Sequence, residues 1–498
     1  MFFLGYRVIN TRIYTRILVH TSANARLFSS YLPPRGDFSV LTDKDLSHFE
    51  RIVGRTAVCT TGIDAYNTDW MKHYKGSSKC VLMPTNVHEV SEIIRHCYER
   101  RLAIVPQSGN TGLVGGSVPV YDEIILSLSK VKKIFDFDPQ SGLLDCDAGF
   151  ILEHINEKLI AYNYMMPYDL GAKGSCMVGG NLSTAAGGIR FMRFGPIHSY
   201  LLGLEVVLPD KNGSIVNFGR KLRKDNTNLH IHHLFVGSEG QLGVITRVSL
   251  GAVIKPAITQ VAMLGVMNFA DCCQILSNAR KYLGEILSAF ELMDLDSMKS
   301  LRDNESLQNV FCSDPPFTIL IETLGSDEEH DHQKMDRFLN EVLDKNLAID
   351  GIQAKSIEEI DYIWKLRETI SLSLMRDGYV YKHDISLPLE YFYKITEVIR
   401  EKVKSQATRV VAFGHMGDGN LHLNVTSSEY KEEIYNRLYP FLYEWVVKHG
   451  GSISAEHGIG RLKKPYMVFG KMSTCLRLSK ELKTFFDPRH ILSPYKMF

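Results

Sequence analysis

The pattern of apolar and polar positions breaks this chain into short strands and amphipathic helices. Residues 79–83 form a brief apolar run closed by Pro84, and residues 103–105 form another. Between them, Asn86 with Glu89 three positions on predicts a capped helix running to about Arg101. Residues 203–208 and 214–218 flank Asp210-Lys211-Asn212-Gly213, which predicts a hairpin. Before this α/β rhythm begins, residues 37–74 are expected to be mostly helical, with a loop at 60–68.

At about Ala252 the texture changes. Residues 260–267 predict a strand, 269–282 an amphipathic helix and 287–293 a strand. The same order recurs at 317–324, 327–343 and 352–355. Two β-α-β units in series predict a second domain with a sheet backed by helices. A further helix is expected over residues 357–375.

Composition narrows the class. A chain of 498 residues is too long for one core, so two or three domains are expected. The net charge of +1 argues against bulk attraction to nucleic acid or to a membrane surface. No apolar run reaches transmembrane length. The nine cysteines are odd in number and form no C-x-x-C pair, which suits a reducing compartment and argues against a cysteine-ligated metal. Residues 1–36 stand apart: Arg7, Arg12, Arg16, Arg26 and Arg35 all precede the first acidic residue, Asp37, while Ile9, Ile13 and Ile17 repeat at helical spacing. This is the pattern of a mitochondrial transit peptide.

Three glycine clusters punctuate the first α/β region. The first is Pro106-Gln107-Ser108-Gly109-Asn110-Thr111-Gly112-Leu113-Val114-Gly115-Gly116-Ser117. Four glycines in eight residues expose backbone N–H groups that can form a nest around phosphate oxygens. The loop is neither G-x-G-x-x-G nor a P-loop, so neither a nicotinamide cofactor nor a nucleoside triphosphate is indicated. The second cluster spans 169–188 and the third 237–243. Three such loops suggest an extended cofactor lying against backbone, for which a dinucleotide is the natural candidate.

The stretch Gly414-His415-Met416-Gly417-Asp418-Gly419-Asn420-Leu421-His422-Leu423-Asn424 carries the chemistry. Seven residues along an unbroken strand would send the two imidazoles to opposite faces. A turn at Gly-Asp-Gly-Asn lets two short arms bring them together. Downstream, Glu456-His457 adds a carboxylate and a third imidazole. Two imidazoles and one carboxylate, with a position left open, suit a catalytic divalent metal. Arg367 and Ser371 lie one turn apart on the 357–375 helix, and Lys382 follows; together they would suit a carboxylate.

These motifs together resemble the D-2-hydroxy acid dehydrogenase branch of the vanillyl-alcohol-oxidase-like flavoproteins, from about Asp64 to the C-terminus. The resemblance implies an α+β fold: a two-lobed FAD-binding domain of the vanillyl-alcohol-oxidase type (37–255) and an α/β substrate, or cap, domain with an antiparallel sheet (256–455). A C-terminal segment (456–498) would return to the flavin. The implied FAD contacts in the first cluster are Gln107, Ser108, Gly109, Asn110, Thr111, Gly112, Gly115, Gly116 and Ser117. In the second they are Asp169, Gly171, Gly174, Ser175, Gly179, Gly180, Thr184 and Gly187, and in the third Glu239, Gly240, Gly243 and Ile245.

The same resemblance assigns Zn2+, or another divalent metal, to His415, His422 and Glu456. It makes His457 the catalytic base and a substrate contact, and places Arg367, Ser371, Lys382 and Asn424 on the substrate. Ser371 replaces a family Thr, Ala185 an Asn and Gln241 a Thr, and Ser493 stands where the family usually has Asn-Pro. The cationic set favours a five-carbon dicarboxylic substrate, D-2-hydroxyglutarate oxidised to 2-oxoglutarate, in the mitochondrial matrix. Hydride would go to flavin N5 and electrons on to electron-transfer flavoprotein. A D-lactate dehydrogenase of the same fold shares both histidine motifs and remains open, as do a metal hydrolase and a flavin binder without catalysis.

Overall fold

Apolar runs of two to nine residues are too short for stable helices and pair instead into three main sheets. The computed structural model describes residues 33–219 and 221–498, so nearly all of the expected leader lies outside the described residues. In the first lobe, β1 (Val58–Cys59), β2 (Val81–Leu82), β3 (Ile104–Gln107) and β4 (Ile124–Ser127) take the order β1-β2-β4-β3. The β2-β4 and β4-β3 pairs are parallel. The helix Val87–Arg100 crosses between β2 and β3; the Asn86 side chain accepts from the Glu89 N–H at its N-cap. Glu89 in turn accepts from the N–H of Thr85, one residue before the cap. Residues 60–68, expected as loop, contain the short helix Asp64–Asn67.

A second lobe is wholly antiparallel. Here β5 (Phe135–Asp138), β6 (Leu143–Asp147), β8 (Leu201–Val207), β9 (Ile215–Gly219) and β10 (Val244–Gly251) take the order β5-β6-β10-β8-β9. The expected hairpin is the β8–β9 pair. A two-stranded ribbon of β7 (Tyr164–Met165) and β11 (Val253–Ile254) leads out of this lobe.

The cap is built on one seven-stranded antiparallel sheet. Its strands are β12 (Ile258–Val266), β13 (Leu287–Asp294), β14 (Phe317–Gly325), β15 (Asp350–Gln353), β16 (Tyr379–Ser386), β17 (Arg409–His415) and β18 (Asn420–Ser427). They run in the order β15-β12-β14-β13-β17-β18-β16. The two β-α-β units are therefore split, each with an antiparallel strand inserted between its members. Alternation along β16–β18 divides the sheet. Tyr381, Ile385, Ala412, Leu421, Leu423 and Val425 join one large core, packed with the helices Phe269–Leu283, Glu328–Asp344 and Lys394–Val403. On the other face, Val411 and Phe413 pack beneath the helices Leu295–Glu305 and Ile357–Met375. Beyond those helices this second face turns towards the flavin lobes, and its polar residues lie there.

The last residues return to the first lobe. Ile104 N–H donates to Ile491 O and Ser493 N–H to Ile104 O, each at 2.8 Å, which extends the β3 edge. Gln241 donates to Ser493 O at 2.9 Å, so two of the positions that depart from the family pattern hold each other.

Candidate active site

The register of the cap sheet gathers the site. Glu291 pairs with His415, Phe413 with His422, Asp384 with His422 and Lys382 with Asn424, so all of these lie on one face. The β17–β18 turn reverses through Gly419 at φ +82°, where a side chain would be strained. The His415 and His422 rings then meet edge to face with centroids 5.3 Å apart.

Glu456 enters from the other side, and three imidazoles converge on it. Its Oε1 lies 3.9 Å from His415 Nε2, 3.7 Å from His422 Nε2 and 3.7 Å from His457 Nε2. These spacings are too long for strong hydrogen bonds, so Glu456 Oε1 and the Nε2 atoms of His422 and His457 face one another without a direct partner. Glu456 Oε2 accepts the Gly188 N–H at 2.9 Å, which aims Oε1 at the imidazoles. His415 Nδ1 donates to Glu291 Oε1 at 2.7 Å, leaving Nε2 as the outward nitrogen. A carboxylate behind a histidine in this manner is the usual support of a metal ligand. The donor set of His415, His422 and Glu456 therefore fits a divalent cation.

Burial opposes the charge on His415, but Glu291 and Glu456 outweigh it and hold its pKa well above the ordinary imidazole value. Burial pushes His422 down to about 3, and it lowers His457 as well, leaving both neutral. Despite its burial, Glu456 is held at about 2 by the surrounding histidines.

The ligand atoms that all lie within 4.8 Å of one another belong to Asp384, His422, Glu456 and His457; His415 lies outside this tightest group, and Asp384 lies within it. The Asp384 acceptors are already occupied. Oδ2 takes the N–H groups of Ala455, Glu456 and His457 at 3.2, 3.1 and 2.8 Å, and Oδ1 takes Asn420 Nδ2 at 2.9 Å. Buried Lys463 donates to Asp384 O at 3.1 Å and to Ser454 Oγ at 3.0 Å. Asp384 thus fixes the Glu456–His457 backbone rather than a cation. Sequence reading missed Glu291, Asp384 and Lys463. For Asp384 a signal existed: it lies two residues from Lys382 and so on the same strand face.

The substrate candidates separate. The Arg367 guanidinium is buried, with Nε and Nη2 both 2.7 Å from Glu291 Oε2, and it stacks 4.9 Å from the Phe413 ring. Only Nη1 lacks an acceptor among the described residues. Lys382 has no carboxylate partner among them; its Nζ lies 5.7 Å over the Trp70 ring, and burial lowers it to about 8. Ser371 is half-buried, with a hydroxyl that makes no hydrogen bond among the described residues. Asn424 is buried beside His422 O, 3.4 Å from its Nδ2.

The three glycine clusters meet in the flavin lobes. A Cβ at Gly109 would lie 2.2 Å from Ser175 O, and one at Gly180 2.9 Å from Ser108 Cβ, so the first two clusters touch. Glu239 N–H donates to Ser183 O at 2.8 Å, which joins the third to the second. By contrast, a Cβ at Gly112 or Gly171 would meet no atom within 4 Å. The clusters therefore border open space beside unobstructed backbone, which fits FAD. Several expected contacts shape the loops through their side chains. Gln107 lies at the end of β3 and donates to Tyr66 O and Ser117 O, while Asn110 donates to Ala65 O and Thr68 O. The Glu239 carboxylate accepts the N–H groups of Ile459 and Gly460 at 2.6 and 2.7 Å, tying the His457 loop to the flavin lobes. At Gly187 a Cβ would lie 3.0 Å from Glu456 Oε2, so the cradle and the imidazole cluster adjoin.

Comparison with known proteins places this geometry. Residues 78–219 match the family model "FAD binding domain" and residues 255–497 "FAD linked oxidases, C-terminal domain". A mitochondrial D-2-hydroxyglutarate dehydrogenase of Bos taurus is 46% identical over 94% of this chain and 86% of its own length. A D-2-hydroxyglutarate–pyruvate transhydrogenase of Saccharomyces cerevisiae is 39% identical over 92% of this chain and 95% of its own. Among solved structures, p-cresol methylhydroxylase with substrate bound superposes with a TM-score of 0.72 at 16% identity, covering 91% of this chain and 96% of that one. At that identity the likeness is one of fold.

Proposed function

This chain belongs to the D-2-hydroxyglutarate dehydrogenase family of FAD-linked oxidases, and from that membership we propose how its residues divide the work. It is an FAD-dependent mitochondrial oxidoreductase that converts D-2-hydroxyglutarate to 2-oxoglutarate. The observation that carries the residue assignment is the convergence of three Nε2 atoms on Glu456 Oε1, at 3.7–3.9 Å, beside the Gly187 edge of the flavin cradle.

Oxidising the C2 alcohol removes a proton from O2 and a hydride from C2. When bound, FAD supplies the hydride acceptor, and a divalent cation held by His415, His422 and Glu456 would supply positive charge for the hydroxyl oxygen. His457 receives the O2 proton on Nε2. Burial keeps this imidazole neutral, so its lone pair is available at physiological pH. Asp384 holds the His457 backbone N–H at 2.8 Å and lies 3.8 Å from Nδ1, where it favours the protonated ring once the proton has moved. Lys382, Ser371 and Nη1 of Arg367 offer donors to substrate carboxylate, and Asn424 borders the same face. Lys382 keeps its proton at pH 7 and gains most from an anion, since burial has taken away water without supplying a counter-charge.

Electrons then pass to electron-transfer flavoprotein in the matrix. The name of the Saccharomyces relative favours one second reading, in which pyruvate takes them. Mixing the reduced enzyme with each acceptor distinguishes the two by which one restores flavin colour. The substrate reading is tested by anaerobic bleaching of the flavin. With Lys382 on the C5 carboxylate, which D-lactate lacks, a charge-assisted hydrogen bond contributes about 1.5–3 kcal/mol, so D-2-hydroxyglutarate should exceed D-lactate about ten- to a hundredfold in kcat/KM. Lys382→Met should erase most of that preference. Equal efficiency in the wild-type enzyme would move the assignment to D-lactate.

A further inference from the structure

We propose that His230, His232 and His233 form a second cation site, on the outer side of the flavin lobe, that takes a divalent transition metal of the zinc class. The short 3₁₀ turn Ile231–Phe235 gathers them. With three residues per turn, His230 and His233 project on the same side, and His232 stands beside them. One ring nitrogen from each lies within 4.8 Å of the other two, with ring centroids 4.4 Å apart for His232–His233, 5.5 Å for His230–His232 and 6.1 Å for His230–His233.

The hydrogen bonding prepares this cluster for a Lewis acid. His230 Nε2 lies 3.1 Å from Asp225 O. A carbonyl can only accept, so Nε2 carries the proton and Nδ1 carries the lone pair. The His232 and His233 rings make no hydrogen bond among the described residues, although His232 is only 9% exposed. Burial and mutual repulsion push His232 down to about 4 and lower His233, so both present neutral, ligating nitrogens at physiological pH. From a separate turn, Ile197–Tyr200, His198 stacks on His233 with centroids 6.0 Å apart and packs against the cluster without joining it.

Three imidazole ligands select against Mg2+ and Ca2+, which require a shell of oxygen ligands, and in favour of Zn2+, Cu2+ or Ni2+, and the Asp225 carboxylate adds favourable charge near His232. A bound ion would fasten the turn that leads into Phe235, which is fully buried against Phe218 and Phe486, and on to the 237–243 loop. This site shares no residue with the His415–His422–Glu456 set and does not depend on that assignment.

The test is a Zn2+ titration of untagged, metal-stripped holoenzyme against a chromophoric chelator. His232 is left in place because it is packed, and the double variant His230→Asn/His233→Asn is compared with wild type. The variant should bind one equivalent less, or bind that equivalent at least tenfold more weakly, with unchanged flavin content and turnover. His230→Asn alone, at an exposed position, should weaken the same equivalent. In His422→Ala this equivalent should persist whether or not the active site holds metal. The same Zn2+ stoichiometry and affinity in wild type and double variant would overturn the proposal, as would loss of this equivalent in His422→Ala.

Discussion

The flavin cradle and the catalytic face of the cap meet at Gly187–Glu456, yet they are made in opposite ways. In the cradle, Gly109, Gly180 and Gly187 lie so near neighbouring atoms that a Cβ would fall within about 3 Å of them, and side chains such as Gln107 and Asn110 fold the loops instead of pointing inward. On the cap, buried Glu291 is balanced by Arg367 and the charged His415, and buried Asp384 by Lys463, while half-buried Glu456 faces His415 and the two neutral imidazoles of His422 and His457. One region is specified by shape, the other by charge. A buried carboxylate is tolerable only with its partners in place, so a single deletion on the cap leaves an uncompensated charge. A single added carbon in the cradle only removes room.

That contrast can be broken by substitution. The largest effect is expected on the cap. His457→Ala should slow single-turnover flavin reduction by about 10²–10⁴-fold, the usual contribution of a general base, while FAD and metal stay bound. A near-normal reduction rate would place the base elsewhere.

Next, Glu291→Gln should lower metal affinity about 10- to 100-fold through its effect on His415, with flavin content unchanged. An unaltered metal dissociation constant in that variant would mean that the Glu291–His415 bond serves packing alone.

The smallest effect belongs to the cradle. Gly112→Ala adds a Cβ that meets no protein atom within 4 Å, so the thermal unfolding of flavin-free protein should not move. If the flavin fills that space, crowding should cost about 1–2 kcal/mol, roughly tenfold in FAD affinity. Unchanged flavin retention would show that the cofactor runs along another part of the cleft.

Sequence by itself determined what rests on neighbouring residues. The capped helix after Asn86, the β8–β9 hairpin, the helix Ile357–Met375 and the β17–β18 reversal all follow from periods of 2 and 3.6 and from turn chemistry, and all are present. His415, His422 and Glu456 were legible as a set because glycines mark where the chain reverses. The glycine clusters announced unobstructed backbone for the same reason.

Only the tertiary structure decided which partners these groups have. Glu291 and His415 are 124 positions apart and meet because β13 pairs with β17, a register that no local pattern encodes. Arg367 looked free for substrate until that same pairing set Glu291 beneath two of its nitrogens. Asp384 became the anchor of the His457 loop, and Glu239 its tie to the flavin lobes, through contacts 73 and 220 positions apart. Charge partners are chosen by folding because a buried ion takes whichever complementary group the packing brings to it, and that choice is settled by the whole sheet at once.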